Sequence, residues 1–312
     1  MVHWPRWRPD CTARQTGACT RREDAMVNRI PTLRQRRLGA ELRRMREQAG
    51  FGGSHLARLL GVTPALVTQM ENGKTGISVE RLREIAAACM CANEPLIDAL
   101  ADTVMGNDKG AWWEEYRGSL SENFLEVAEI ESHARAISLY TMAFIPGLLQ
   151  TEAYTSAIFG RSYPPLPRHS VELRTAFRMQ RQHILRSGDL PYSAYIHEAA
   201  LRMQFSGAKV QAEQLGALIT ASEQPNISVQ VVLFDVDMIP LPNENFTYLE
   251  GPVQELDTVQ ADSGVGNFLF DAPAHTARFR SLLAQIDSAA LPVDESRDFI
   301  RSIKKDMESK YV

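Results

Sequence analysis

Two short amphipathic segments joined by a glycine constrain the fold of this chain more than any other feature of its sequence. The first covers residues 54–60, and Gly61 separates it from a second segment that opens at Thr63-Pro64. Threonine is suited to cap a helix and proline to occupy its first turn. Small Ala57 lets two helices cross closely, and glycine accepts the tight turn between them. Five apolar residues supply the buried seam: Leu56, Leu60, Val62, Val67 and Met70. The pattern predicts a helix-turn-helix.

The surrounding sequence, residues 32–105, predicts a bundle of five short helices. Apolar residues recur at helical spacing ahead of Gly50, which predicts the first helix. Ser78 is placed to cap a fourth helix, and residues 94–104 predict a fifth. With Glu71-Asn72-Gly73 closing the third helix, the region resembles the phage-repressor, or Xre-type, helix-turn-helix family. The resemblance implies a DNA-binding domain whose third helix lies in the major groove.

The outward face of the predicted third helix supplies the candidate base contacts. Six residues remain outside when Val67 and Met70 are buried: Thr63, Pro64, Ala65, Thr68, Gln69 and Asn72. Gln69 can form a bidentate contact with adenine, Thr68 can bond to a base or a phosphate, and Ala65 can contact a thymine methyl group. Leu66 lies at the border of this face, where burial is favoured over base contact.

Four cations near the helix-turn-helix are candidate phosphate contacts: Lys74, Arg34, Arg36 and Arg37. Taken alone, each arginine can also be interpreted as a solvent-exposed charge without a DNA contact. The sequence departs from the family at Gly52-Gly53, where members commonly carry a capping Ser or Thr followed by Gln. It departs again at Pro64, where many members place a base-reading Arg, Lys or Gln. The resemblance therefore implies fewer direct contacts, and it implies a structural pairing of Arg43 with Glu71.

Charge is unevenly divided along the chain. Residues 1–92 contain 16 Lys+Arg and 8 Asp+Glu, whereas the remainder contains 18 Lys+Arg and 30 Asp+Glu. A basic N-terminal part suits nucleic acid, and the acidic remainder confines the expected DNA contact to the first part. A merely solvated basic face is the alternative interpretation.

Composition also bounds the compartment and the chemistry. No run approaches the ~18 apolar residues of a membrane span, and the N-terminus lacks the apolar core of a secretory signal, so we expect a cytoplasmic protein without membrane contact. The four cysteines, Cys11, Cys19, Cys89 and Cys91, do not form two zinc-ligand pairs and are predicted to be free thiols. We expect no metal, no cofactor and no catalytic residues.

The remaining sequence divides into a leader and a larger C-terminal domain. Residues 1–31 lack periodicity, which predicts a disordered basic leader, with Met26 as an alternative start. Residues 106–312 predict an α+β domain, because strands late among helices argue against a doubly wound parallel sheet. Besides a helix around Tyr154, helices are predicted at residues 126–137, 174–186, 210–222, 273–288 and 295–307, and strands at 228–234, 245–249 and 253–261.

Four groups of residues carry a narrower resemblance. They are Trp112-Trp113 with Tyr116, the run Ile145-Pro-Gly-Leu-Leu-Gln-Thr151 with Tyr154, Glu198-Ala-Ala-Leu-Arg202 and Ile227-Ser-Val-Gln-Val231. They resemble actinobacterial regulators described as WhiJ-like or antitoxin-like, which implies transcriptional control. The candidate ligand or partner contacts are Trp112, Trp113, Tyr116, Gln150 and Tyr154. Trp112, Trp113 and Tyr116 lie at helical spacing, and aromatic residues in this pattern are also typical of a hydrophobic core.

These observations favour one function and leave one alternative open. The first hypothesis is a sequence-specific transcriptional regulator that binds double-stranded DNA, senses a small ligand or a partner protein, and works as a homodimer. The alternative is an antitoxin-like protein that sequesters a small partner protein encoded nearby and autoregulates its operon. An enzyme would require an acid/base or metal constellation, and the sequence offers none.

Overall fold

The computed structural model describes residues 31–106, 111–236, 245–263 and 266–309. The expectation of a disordered leader therefore lies outside the described residues except at Pro31.

The N-terminal region forms the predicted five helices. They are α1 (Leu33–Gln48), α2 (Gly53–Leu59), α3 (Pro64–Glu71), α4 (Val79–Ala88) and α5 (Glu94–Met105). Thr32 and Gln35 form a reciprocal capping box at α1, and Thr63, Ser78 and Asn93 each accept a backbone N–H at the start of a later helix. The helix-turn-helix prediction is confirmed.

The larger region combines helices with a six-stranded sheet. Its helices are α6 (Glu122–His133), α7 (Glu152–Gly160), α8 (Arg168–Arg181), α9 (His183–Arg186), α10 (Glu198–Arg202), α11 (Ala208–Ala221), α12 (Pro273–Ala289) and α13 (Val293–Glu308). Its strands are β1 (Ala136–Thr141), β2 (Tyr192–His197), β3 (Ile227–Val232), β4 (Phe246–Glu250), β5 (Thr258–Ser263) and β6 (Gly266–Phe270). Short 3₁₀ turns lie at Trp112–Tyr116, Gly147–Leu149 and Gln254–Leu256.

The strand order is β3-β2-β1-β4-β5-β6. Strands β3, β2 and β1 run parallel to one another. Strand β4 pairs antiparallel with β1, β5 antiparallel with β4, and β6 antiparallel with β5. This mixed sheet confirms the predicted α+β class. Two expectations were wrong in detail: the helix predicted at residues 126–137 ends at His133, where β1 soon follows, and residues 253–261 begin with a 3₁₀ turn before β5. Strands β2 and β6 were not anticipated.

Each face of the sheet has its own apolar core because side chains alternate along the strands. Ile137, Tyr192 and Val229 lie on one face in a core shared with α7, α11 and α13. Tyr140 and Phe246 lie on the opposite face in a core that includes Ile286 of α12. The helical domain has a third core, against which Val253 and Leu256 of the larger domain also pack. The described residues accordingly form one compact unit.

Candidate nucleic-acid interface

Helices α2 and α3 are joined through a tight turn whose backbone only a few residue types adopt easily. Gly61 has φ +64°, in the left-handed region, and the Val62 N–H donates to the Ala57 carbonyl at 2.9 Å. Leu56, Ala57 and Val67 are each about 1% exposed, so the crossing is closed. Leu60 and Val62 are only partly buried against this core. The turn therefore fixes the position of α3 relative to the other helices of the bundle.

Helix α3 is anchored to α1 by charge and by close backbone contact. Arg46 donates from Nε to Glu71 at 2.5 Å, and Arg43 donates to the same carboxylate at 3.3 Å. Both partners of the Arg46–Glu71 pair are largely buried. A Cβ at Gly39 would lie 2.5 Å from the Glu71 carbonyl oxygen, so only glycine allows α1 to lie this close to α3. The Arg43–Glu71 prediction is confirmed, whereas Arg46 and Gly39 were missed.

The six candidate base contacts all have exposed side chains, on or next to α3: Thr63, Pro64, Ala65, Thr68, Gln69 and Asn72. Ala65, Thr68 and Asn72 follow one another at helical spacing and so share a face. The Gln69 carboxamide oxygen accepts from the Thr75 hydroxyl at 3.2 Å, and the Asn72 oxygen accepts from Arg43 at 3.1 Å. Leu66 is partly buried against the helical core, as expected.

The candidate phosphate contacts divide into two groups. Lys74 is exposed next to α3, whereas Arg34, Arg36 and Arg37 point from α1 toward the larger domain. Arg34 contacts Nε2 of His133 at 2.8 Å, and Arg36 donates to Glu126; both partners lie on α6.

The side chain of Arg37 is largely buried, with about 13% of it exposed. It pairs with Asp271 at 2.6 Å and donates to backbone carbonyls of the larger domain, including that of Asp257 at 3.3 Å. Burial lowers the pKa of Arg37 to about 10, against the raising effect of neighbouring Glu41, so the side chain stays cationic at neutral pH. These arginines join the two domains, and their predicted role at DNA phosphates stays a prediction.

One exposed cation of the helix-turn-helix was missed. Arg58 lies in the last turn of α2 and is exposed, in the helix that crosses the DNA backbone in helix-turn-helix complexes. Its place in the last turn of the helix before the glycine turn is the sequence signal that could have identified it. As expected from Gly52-Gly53, α2 has no side-chain cap.

The candidate ligand residues of the larger domain fall into two environments. Trp112, Trp113 and Tyr116 lie in a 3₁₀ turn and pack in an aromatic cluster around Phe177, with ring centroids 5.1 Å apart for Trp112 and 4.9 Å for Tyr116. Gln150 instead lines a cavity of about 430 Å³ between the sheet, α6 and α8.

Tyr154, the last candidate, is fully buried beside this region. Its hydroxyl accepts from the Ile145 N–H at 3.3 Å, which supports the irregular run before α7. The predicted role of the five residues in ligand or partner binding stays a prediction.

The described residues contain no metal-binding group of three or more His, Cys, Asp or Glu side chains. In that same part of the chain, no helix is both long and apolar enough to cross a membrane.

The turn, the closed crossing and the exposed face of α3 define a helix-turn-helix protein. Residues 37–100 match a helix-turn-helix domain family, which supports a DNA-binding regulator. Residues 124–302 match the domain of unknown function DUF5753, and the chain belongs to that family. No curated protein matches the chain.

Proposed function

We propose that this protein is a sequence-specific transcriptional regulator that reads the major groove with α3. The observation that carries the proposal is the exposed polar face of α3, held by the glycine turn and by the buried Arg46–Glu71 pair. Gln69 is positioned for a base edge, because its amide nitrogen remains available as a donor beside the oxygen that binds Thr75. Ala65 and Thr68 flank it for a thymine methyl group and a polar contact.

Affinity in this proposal comes from cations that the larger domain does not engage. Arg58 and Lys74 are exposed on either side of α3 and are the proposed phosphate contacts. Arg34, Arg36 and Arg37 serve instead to hold the helical domain on the larger one. A protein that reads chromosomal DNA would work in the cytoplasm at the nucleoid, and two copies would supply the paired half-sites that such domains use.

The test is titration of the full chain against a duplex selected from a random pool. Gln69→Ala should weaken binding by about 1–3 kcal/mol and relax one base position. Gln48→Ala is the matched control, because Gln48 is an exposed amide at the end of α1. Equal affinity and selectivity for the wild type and Gln69→Ala would remove Gln69 from the proposed interface.

Phosphate contacts have a different signature. Arg58→Ala and Lys74→Ala should each weaken binding to all duplexes and reduce the slope of affinity against salt by about one. An unchanged salt slope in both variants would contradict these assignments.

A second candidate rests on the resemblance to WhiJ-like and antitoxin-like regulators. In it, the acidic larger domain sequesters a small protein, and DNA binding serves autoregulation. Co-expression with the product of a neighbouring small gene tests this candidate. A stable complex of defined stoichiometry would support it, and separate elution of the two proteins would overturn it.

A further inference from the structure

The cavity beside Gln150 has the features of a small-molecule site. Its volume of about 430 Å³ lies within the usual range for ligand pockets, about 300–1,000 Å³. Apolar side chains such as Phe124, Ile137 and Leu148 share the walls with polar ones such as Thr141 and Gln150. The charged residues described in the lining are Arg178, Arg181 and Glu131. Arg181 is paired with Glu131, and Arg178 donates to Gln150 at 2.9 Å, so two guanidinium groups lie at the wall beside apolar side chains. Such a lining suits an organic anion with an apolar body.

One polar group in the lining points independently to a ligand. Tyr192 is 1% exposed on β2 and lines the cavity, and its hydroxyl has no hydrogen-bond partner among the described residues. Buried hydroxyl groups normally have a partner, so an unpartnered one at a cavity wall is suited to a bound molecule. Burial holds the pKa of Tyr192 well above its usual range, with Glu131 acting in the same direction. The hydroxyl therefore keeps its proton and can donate to a carboxylate.

Helix α6 connects this cavity with the helix-turn-helix domain. One side of α6 lines the cavity with Phe124, Val127 and Glu131. The other side carries Glu126, which accepts from Arg36, and His133, which contacts Arg34. Glu131 is also held by Arg181 at 2.5 Å. A ligand that shifts α6 thus acts directly on residues that bind α1.

We infer that the cavity binds a small organic carboxylate with an apolar body, and that α6 transmits its occupancy to the helix-turn-helix domain. The second part rests on the proposed DNA-binding function. Bound and empty forms would then differ in affinity for DNA.

Calorimetry on the DNA-free full chain tests the cavity first. The probes are phenylacetate and hexanoate, with phenylacetamide as the uncharged comparison. We expect the carboxylates to bind and the amide to bind at least about tenfold more weakly, because a hydrogen bond to a charged group is the stronger one. Failure of both carboxylates to bind at millimolar concentration, or equal binding of the amide, would overturn the proposed ligand class.

Tyr192→Phe locates the site. The substitution removes a hydroxyl that no described protein group binds, so folding should be unaffected. We expect about tenfold weaker carboxylate binding. Tyr163→Phe is the matched control, because Tyr163 is 97% exposed. Carboxylate binding that is the same in Tyr192→Phe and in the wild type would place the ligand elsewhere.

Titration of the selected duplex with and without phenylacetate then tests transmission. A severalfold change in DNA affinity in the wild type, reduced in Tyr192→Phe, is the expected result. Carboxylate binding without any change in DNA affinity would overturn transmission through α6. Failure of the ligand-free wild type to bind any selected duplex would contradict the DNA-binding function itself, which calorimetry on the DNA-free chain does not test.

Discussion

Gly39→Ala should destabilise the helical domain, although alanine is the better helix former. A Cβ at this position would lie 2.5 Å from the Glu71 carbonyl oxygen and 2.7 Å from that of Met70, whereas ordinary contact begins at 3.4 Å. Helices α1 and α3 would have to separate by about 0.9 Å to relieve the overlap with backbone atoms. Overpacking of this kind costs up to about 3 kcal/mol, and helix propensity returns about 1 kcal/mol. The expected net loss is about 2 kcal/mol.

Gly53→Ala is the matched control because the same substitution meets no atom within 4 Å there. It should stabilise the protein by about 0.4–1 kcal/mol. In thermal unfolding followed by circular dichroism, Gly39→Ala should lower Tm by about 4–8 °C, and Gly53→Ala should raise it slightly. Equal shifts in the two variants, or an unchanged Tm for Gly39→Ala, would refute the close α1–α3 contact.

Two further predictions concern the larger domain and its junction with the first. Burial lowers the pKa of His197, with Glu198 opposing, and Nδ1 of its ring accepts the Ala199 N–H at 3.1 Å. The folded-state pKa of His197 lies below the unfolded value of 6.5. The stability that the neutral ring contributes to the folded protein is therefore present above pH 6.5 and is lost as the pH falls. His197→Asn keeps a capping acceptor, so its Tm should fall less than that of the wild type between about pH 7.5 and 5.5; identical falls would contradict this role. Arg37→Ala should lower thermal stability by about 1–3 kcal/mol through loss of its bonds to Asp271 and the nearby carbonyls. Arg58 is exposed, so Arg58→Ala should change the free energy of unfolding by no more than about 0.5 kcal/mol. An equal loss of stability in both variants would contradict a role for Arg37 in joining the two domains.

The helical domain was largely predictable because its determinants are local. Each determinant specifies structure within a few residues of itself. These determinants are the helix caps at Thr63 and Ser78, the glycine at position 61 and the spacing of the apolar residues. The Arg43–Glu71 pair was predictable through family resemblance. Gly39 was missed because a glycine inside a helical pattern shows its purpose only when the opposing backbone is known.

Long-range contacts explain what the sequence did not reveal. Strand β1 follows α6 within three residues, so the helical spacing of apolar residues extended the predicted helix into the start of this strand. Pairing with β2 and β4, which the local sequence does not show, is what makes these residues a strand. The direction of Arg34, Arg36 and Arg37 depends on partners at least 90 residues away, which charge counting does not locate. Tyr192 became a candidate only when the sheet, α6 and α8 enclosed a cavity.

Selection of duplexes from a random pool by the full chain tests the central claim, reading of DNA by α3, most directly. The wild type should enrich one sequence motif, and a Thr68→Ala/Gln69→Ala variant should retain DNA binding while losing selectivity at the corresponding positions. Enrichment of the same motif by both proteins, or of none by the wild type, would contradict the account.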